Sequence, residues 1–204
     1  MSQLKNNFAE SRDEVWRQLS ESIQGKFIAG DFWHENKVVA QVGEWTVTVD
    51  VYHEAVGSAS VTYTRLRAPY VNQDGLRFHV SHKNLLSGMG KVFGMQDIEI
   101  GDPAFDAEFI LQGTDPEEVK SLLADPELRE RLLAQPSLIV QVKDDEGWFT
   151  VHFPQGVDEL CLQVLGEVQE IERLEALYEL FALLLNRMCH IGSAYAADPH
   201  VDLT

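Results

Sequence analysis

The chain has 204 residues, 45% of them hydrophobic, and carries 33 acidic side chains against 16 basic ones for a net charge of −17. Such a chain can bury one substantial core, and its charge repels nucleic acid phosphates and anionic lipid surfaces, which disfavours both as partners. The N-terminal stretch lacks an apolar signal core, and the longest apolar crowding, Leu180 to Leu185, falls far short of the ~20 residues that span a bilayer.

A cytoplasmic protein without membrane insertion is therefore expected. From Leu4 to Ile23, Phe8, Val15, Leu19 and Ile23 recur at helical spacing, predicting an amphipathic helix that stops near Gly25. A β-rich region follows, with a turn near Glu35-Asn36. Val38 to Val42 and Glu44 to Tyr52 read as strands, with Gly43 as a bulge or bend between them. In the second, Trp45, Val47, Val49 and Val51 alternate with Thr46, Thr48, Asp50 and Tyr52, so the sheet has one buried face and one polar face. SASVTYTRLR and LRFHVSH, on either side of the VNQDG turn, extend it as antiparallel hairpins. Asn84 to Met95 predicts a short, glycine-weakened helix.

Phe105, Ala107, Phe109 and Leu111 alternate with mostly polar neighbours, predicting a strand that ends at Gly113. The decapeptides DPEEVKSLLA and DPELRERLLA then repeat a helix start at Asp115-Pro116 and Asp125-Pro126, giving a kinked helix or two short ones in series. Leu138 to Val142 and Phe149 to Phe153 read as a hairpin. From Leu160 to Met188 the spacing predicts one long helix. Its later half is apolar on more than one side, which requires deep burial or a partner helix, so Tyr178, Phe181, Leu184, Leu185 and Met188 are the candidate interface of a homodimer. Cys161 and Cys189 would bracket that helix, too far apart for a disulfide.

The fold class expected is α+β: an antiparallel sheet region with an N-terminal helix, a central kinked helix and a long C-terminal helix. One composite domain over residues 1–204 is favoured, with sub-units 1–83 and 84–192 and a tail 193–204. Gly101, Asp102, Phe105, Asp106 and Phe109, followed by Leu122-Leu123 and Leu132-Leu133, resemble uncharacterised bacterial domain families with a G-D-x-x-F-D-x-x-F segment ahead of a leucine-pair helix. The resemblance covers about residues 84 to 153 and implies a bacterial α+β domain without an assigned activity or catalytic residue.

No spacing of His, Cys, Asp or Glu matches a metal motif, no phosphate loop is complete and no nucleophile elbow occurs, so no cofactor, metal or catalytic residue is assigned. The informative contrast is charge. Arg65, Arg67, Arg77, Lys83 and Lys91 face a single acid, Asp74, within an acidic chain. Acidic groups of the protein itself or of a second copy would neutralise them, and a small anionic ligand is the rival. Asp50, Tyr52, Arg65, Arg67, Arg77 and His79 on the polar sheet face are therefore the candidate ligand-binding residues. The expected function is a non-enzymatic binding or assembly module that self-associates or meets another protein. The alternative is a small-anion binder or an enzyme that uses the polar face.

Overall fold

The computed structural model describes residues 13–30, 35–85, 95–144 and 153–203. Helix α1 covers residues 13–22 and leads into a ten-stranded antiparallel sheet with five α-helices in all among the described residues. The first strands form a meander: β1 (Lys26–Ile28), β2 (Lys37–Val42), β3 (Trp45–Val56) and β4 (Ala59–Asn72). Next come β5 (Phe78–His82), β6 (Gln96–Asp97), α2 (Pro103–Glu108), β7 (Phe109–Gly113), α3 (Pro116–Leu122), α4 (Pro126–Leu133) and β8 (Leu138–Lys143). Strand β9 (Val157–Leu165), helix α5 (Ile171–Ile191) and strand β10 (Ala194–Tyr195) complete the chain. The sheet order is β1-β2-β3-β4-β9-β8-β5-β7-β6, with β10 beside the end of β4.

Each face of the sheet has its own chemistry. On one, Val47, Val49, Leu66, Leu160, Leu162, Val140, Val80 and Leu111 join a single core with Val119 and Leu122 of α3, Leu128 and Leu132 of α4 and the inner side of α5. Five α5 side chains from Leu177 to Leu185 are no more than 1% exposed. The helix closes through Gly192 at φ +91, where Ser193 N–H donates to the Met188 carbonyl and Gly192 N–H to that of Cys189. That is the doubly bonded left-handed cap for which glycine is suited.

Three helices open on the same signal. Asp102, Asp115 and Asp125 each accept hydrogen bonds from the first free amides while a proline sets φ in the first turn. The first of these corrects the strand expected from Phe105: residues 103–108 are helical, and only Phe109 onward is strand. Phe105 and Phe109 are four apart as well as on one alternating set, and their rings stack with centroids 4.6 Å apart. The double decapeptide gives two separate helices, α3 and α4.

The long helix is shorter than its periodicity predicts. Residues 157–165 are instead a strand, eight of them buried, paired on both sides, and α5 starts only at Ile171. Leu160, Val164, Val168, Ile171 and Leu174 also fit helical spacing, which hid the alternation of Leu160, Leu162 and Val164 with Glu159, Cys161 and Gln163. Cys161 accordingly lies on the sheet rather than on a shared helix with Cys189, and both are free. Gly43 is part of a two-residue hairpin turn, since Val42 pairs with Trp45 and Gly43 has φ +56. Most of the helix expected at Asn84 to Met95 and of the strand expected at Phe149 to Phe153 lies outside the described residues, which hold Lys83–Leu85 as a short 3-10 turn.

Gly113 sets how closely α3 packs on β7. A Cβ built there meets Val119 Cγ2 at 2.6 Å and Ile98 Cδ1 at 3.2 Å. Gly113→Ala is expected to lower unfolding stability by about 1–3 kcal/mol through overpacking; urea denaturation of the two proteins measures it, and an unchanged midpoint would contradict so tight a contact.

Candidate functional site

The face opposite the helices is polar and yet buried. Because pairing fixes which side chains share a face, two rows can be read across the strands. One runs Lys37, Asp50, Arg65, Gln163, Ile139, Ser81; the other runs Thr48, Arg67, Cys161, Gln141, His79, Gln112. Thr48, Asp50, Arg67, His79, Ser81, Gln112, Glu159, Gln163 and Cys161 are all buried.

Asp50 is the electrostatic centre. Arg65 grips it with two parallel bonds, Nε to Oδ1 and a terminal nitrogen to Oδ2, both 2.9 Å. Arg67 donates to the same Oδ2 at 2.6 Å and approaches Glu159 at 4.0 Å. Burial would raise the Asp50 pKa, but the Arg65 hydrogen bonds and the charges of both arginines outweigh it and hold the carboxyl below its ordinary value. Arg65 also lies over the Tyr52 ring, 4.3 Å from its centroid, a cation–π contact that fixes the guanidinium plane. The arrangement is a charge-balanced platform: two arginines, each already facing a carboxylate.

The six candidate ligand residues divide accordingly. Asp50, Tyr52, Arg65 and Arg67 are brought into one cluster. His79 is on the same face in the row of Arg67, three strands away, or roughly 14 Å at the usual spacing. Arg77 is separate: it bonds Asp144 at 2.6 Å and nears Asp158 at 4.0 Å, at the end of β8. Arg65, Arg67 and Arg77 are thus met by acids of the same chain. Lys83 donates to the Asp106 carbonyl, and Lys91 is outside the described residues.

Phe181, Leu184, Leu185 and Met188, expected at an interface, lie in the chain's own core at 0–1% exposure. Tyr178 is half-buried and donates its hydroxyl to the Gln41 carbonyl. The helix has the deep burial its composition required, supplied by the sheet, α3 and α4.

Glu159, Cys161, Gln163 and Ser81 also belong to the polar face, and sequence reasoning did not select them. The first three alternate with Leu160, Leu162 and Val164, a signal hidden by reading this run as helix. Burial pushes the Cys161 thiol up to about 11, far from the range of a reactive cysteine. Burial also pulls the His79 imidazole below its ordinary pKa, opposed by the Gln141 amide on β8. At the β1 to β4 end of this face, the C-terminal residues Asp198 to Leu203 and the strands enclose a cleft of about 360 Å³ that includes Lys37, Thr46 and Thr48. Thr46 Oγ1 donates to Asp198 there, and Leu203 is buried. Among the described residues, no group of three or more His, Cys, Asp or Glu converges as metal ligands, and no helix is long and apolar enough to cross a membrane.

No protein-family model matches the sequence, and no curated protein matches it. Among solved structures, the fold is similar to the crystal structure of the mycobacterial trehalose monomycolate transport factor A, TtfA. The TM-score is 0.54 at 8% sequence identity, over 94% of this chain and 99% of that one. At that identity the likeness concerns the fold.

Two measurements test the electrostatics. Asp50→Asn leaves Arg65 and Arg67 buried without their shared counter-charge and is expected to cost about 3–5 kcal/mol of unfolding stability; a loss below 1 kcal/mol by denaturant titration would show that the network is dispensable. For His79 the folded pKa lies below the unfolded ~6.5, so its stabilising effect is present above pH ~6.5 and declines as pH falls towards the folded value. His79→Gln is therefore expected to flatten the stability–pH curve below pH ~6.5, by up to about 1.4 kcal/mol per pH unit; parallel curves for the two proteins would rule this out.

Proposed function

We propose that this chain is a non-enzymatic binding or assembly module that self-associates and whose working surface is the polar face of the sheet. The observation that carries this reading is the Asp50–Arg65–Arg67 cluster. It is buried, rigidly bonded and charge-balanced on the sheet face opposite α3, α4 and α5. A network of this kind holds the strands in one register, so that a partner meets a fixed surface around it rather than the bonded ions themselves. A small free anion fits it less well, since the anion would have to displace Asp50 from two arginines. The fold-level likeness to a transport factor is compatible with an accessory role and supports it as analogy only.

Self-association cannot use the inner face of α5 without opening the core. It must run through surfaces outside that face, of which the short edge strands β1 and β6 are two. Light scattering across a concentration series is expected to show a dimer or larger assembly. Leu185→Ala is expected to cost about 2–5 kcal/mol of stability while leaving the assembly size unchanged. A strict monomer at every concentration would remove self-association, and a folded Leu185→Ala protein that dissociates would return the interface to α5.

A further inference from the structure

The cleft at the β1 to β4 end of the polar face holds two side chains that the charge network does not use. Lys37 faces Asp50 and Val39 faces Thr48 across β2 and β3, and the alternation along each strand puts all four on the polar side. Lys37 and Thr48 line the cleft of about 360 Å³. Thr48 is 4% exposed, and among the described residues neither its hydroxyl nor the Lys37 ammonium has a hydrogen-bond or ion-pair partner. Their charged neighbours are committed elsewhere, since Asp50 beside Lys37 and Arg67 beside Thr48 are bonded to each other, and Arg65 also grips Asp50. A hydroxyl at that depth is usually bonded within the protein. This one borders the cleft instead.

The rest of the lining carries the opposite sign. The C-terminal segment contributes Asp198 and Asp202. Asp198 is occupied: it accepts from the Thr46 hydroxyl at 3.4 Å and the His200 amide at 2.7 Å, and the His200 ring, 88% exposed, stands 3.8 Å from it. Asp202 is exposed and has no such bond among the described residues. Ile28, Val39, Pro69, Val201 and Leu203 make the remaining lining apolar. A simple anion drawn to Lys37 meets two carboxylates within an acidic chain, and a simple cation drawn to those carboxylates meets Lys37. A ligand with both charges and an apolar body answers every part of the lining, and the volume lies in the range of small-molecule pockets, roughly 300–1,000 Å³.

We propose that this cleft binds a small zwitterion with an apolar body, of which an α-amino acid with an aliphatic side chain is the simplest case. Lys37 and Thr48 take the carboxylate, Asp202 faces the ammonium, and the apolar lining holds the aliphatic group. The site goes beyond the assembly role and does not depend on it.

Isothermal titration calorimetry of the full-length protein at neutral pH is the test, with L-leucine and L-valine as probes. Three comparisons each remove one feature: 4-methylpentanoate lacks the amine of leucine, 3-methylbutylamine lacks its carboxylate and glycine lacks its side chain. Saturable binding of leucine or valine is expected, with each comparison weaker by about tenfold or more, as the loss of a charge-assisted bond or of a buried aliphatic group implies. Lys37→Met and Thr48→Val are each expected to weaken leucine binding about tenfold. Ligand-free Thr48→Val should unfold at the same or a higher temperature, since valine suits a strand and the hydroxyl it removes has no partner. Should a strand variant not fold, Asp202→Asn at its exposed position is expected to weaken leucine binding and to strengthen that of 4-methylpentanoate. Absence of saturable binding of both amino acids, equal binding of any comparison, or an unchanged leucine affinity in Lys37→Met, Thr48→Val or Asp202→Asn would overturn the proposal. So would a lower unfolding temperature of Thr48→Val, the mark of a hydroxyl already bonded. A monomer that binds leucine would remove the assembly reading and leave this site standing, and a non-binding dimer would do the reverse.

Discussion

The sheet is one surface because β9 pairs with β4 on one side and β8 on the other. Without it, the early meander and the later strand–helix unit would each present an edge strand with unpaired amides and carbonyls. The partners are far apart in sequence: Arg67 faces Cys161, and Gln141 faces Cys161 from the other flank. Loop closure on this scale has to precede its reward, so the pairing of β9 is the step on which the rest of the topology waits. β5 shows the same interleaving, lying early in the chain but between β7 and β8.

Once the sheet is continuous, its two faces compete for different neighbours. The helix side collects Val and Leu from nearly every strand, so α3, α4 and α5 dock there by burial of apolar area alone. The other side cannot be stabilised that way. Its arginines and acids are buried only because their charges cancel at hydrogen-bond distance, with Asp50 serving two guanidinium groups and Glu159 lying near the second. Geometry of this quality is what keeps buried ions tolerable, and it fixes the register of β3 against β4 along with it.

Local patterns in the sequence carried much of this. The alternation from Trp45 to Tyr52 separates the two faces correctly, and the Asp-Pro pairs at 115–116 and 125–126 mark both helix starts. The same pair at 102–103 was masked by a coincidence, because Phe105, Ala107 and Phe109 fit a period of two while Phe105 and Phe109 also fit one helical turn. β9 was illegible because two periods overlap in it: Leu160, Leu162 and Val164 alternate with Glu159, Cys161 and Gln163, while Leu160, Val164, Val168 and Ile171 also keep helical spacing into α5. The polar cluster was legible as a list of residue types but not as a set of pairs, since Arg65 and Arg67 read as a basic excess until register placed Asp50 opposite Arg65 and diagonal to Arg67.

The contrast between the faces also limits where function can be. The inner side of α5 has no freedom to leave, because seven of its side chains, from Leu174 to Met188, are in the core that holds the sheet to α3 and α4. Any partner exchanged at working concentration must then meet a surface whose loss costs less than unfolding. On the outer face that condition is met unevenly. The Asp50 cluster is cross-bonded and resists rearrangement, whereas the stretch from Gln163 through Gln141 to His79 is held by loose amide contacts, and the Ser81 hydroxyl beside it has no hydrogen-bond partner among the described residues. A charge-balanced anchor beside an incompletely bonded patch confines adjustment to the patch, and the anchor preserves the register on which the patch depends.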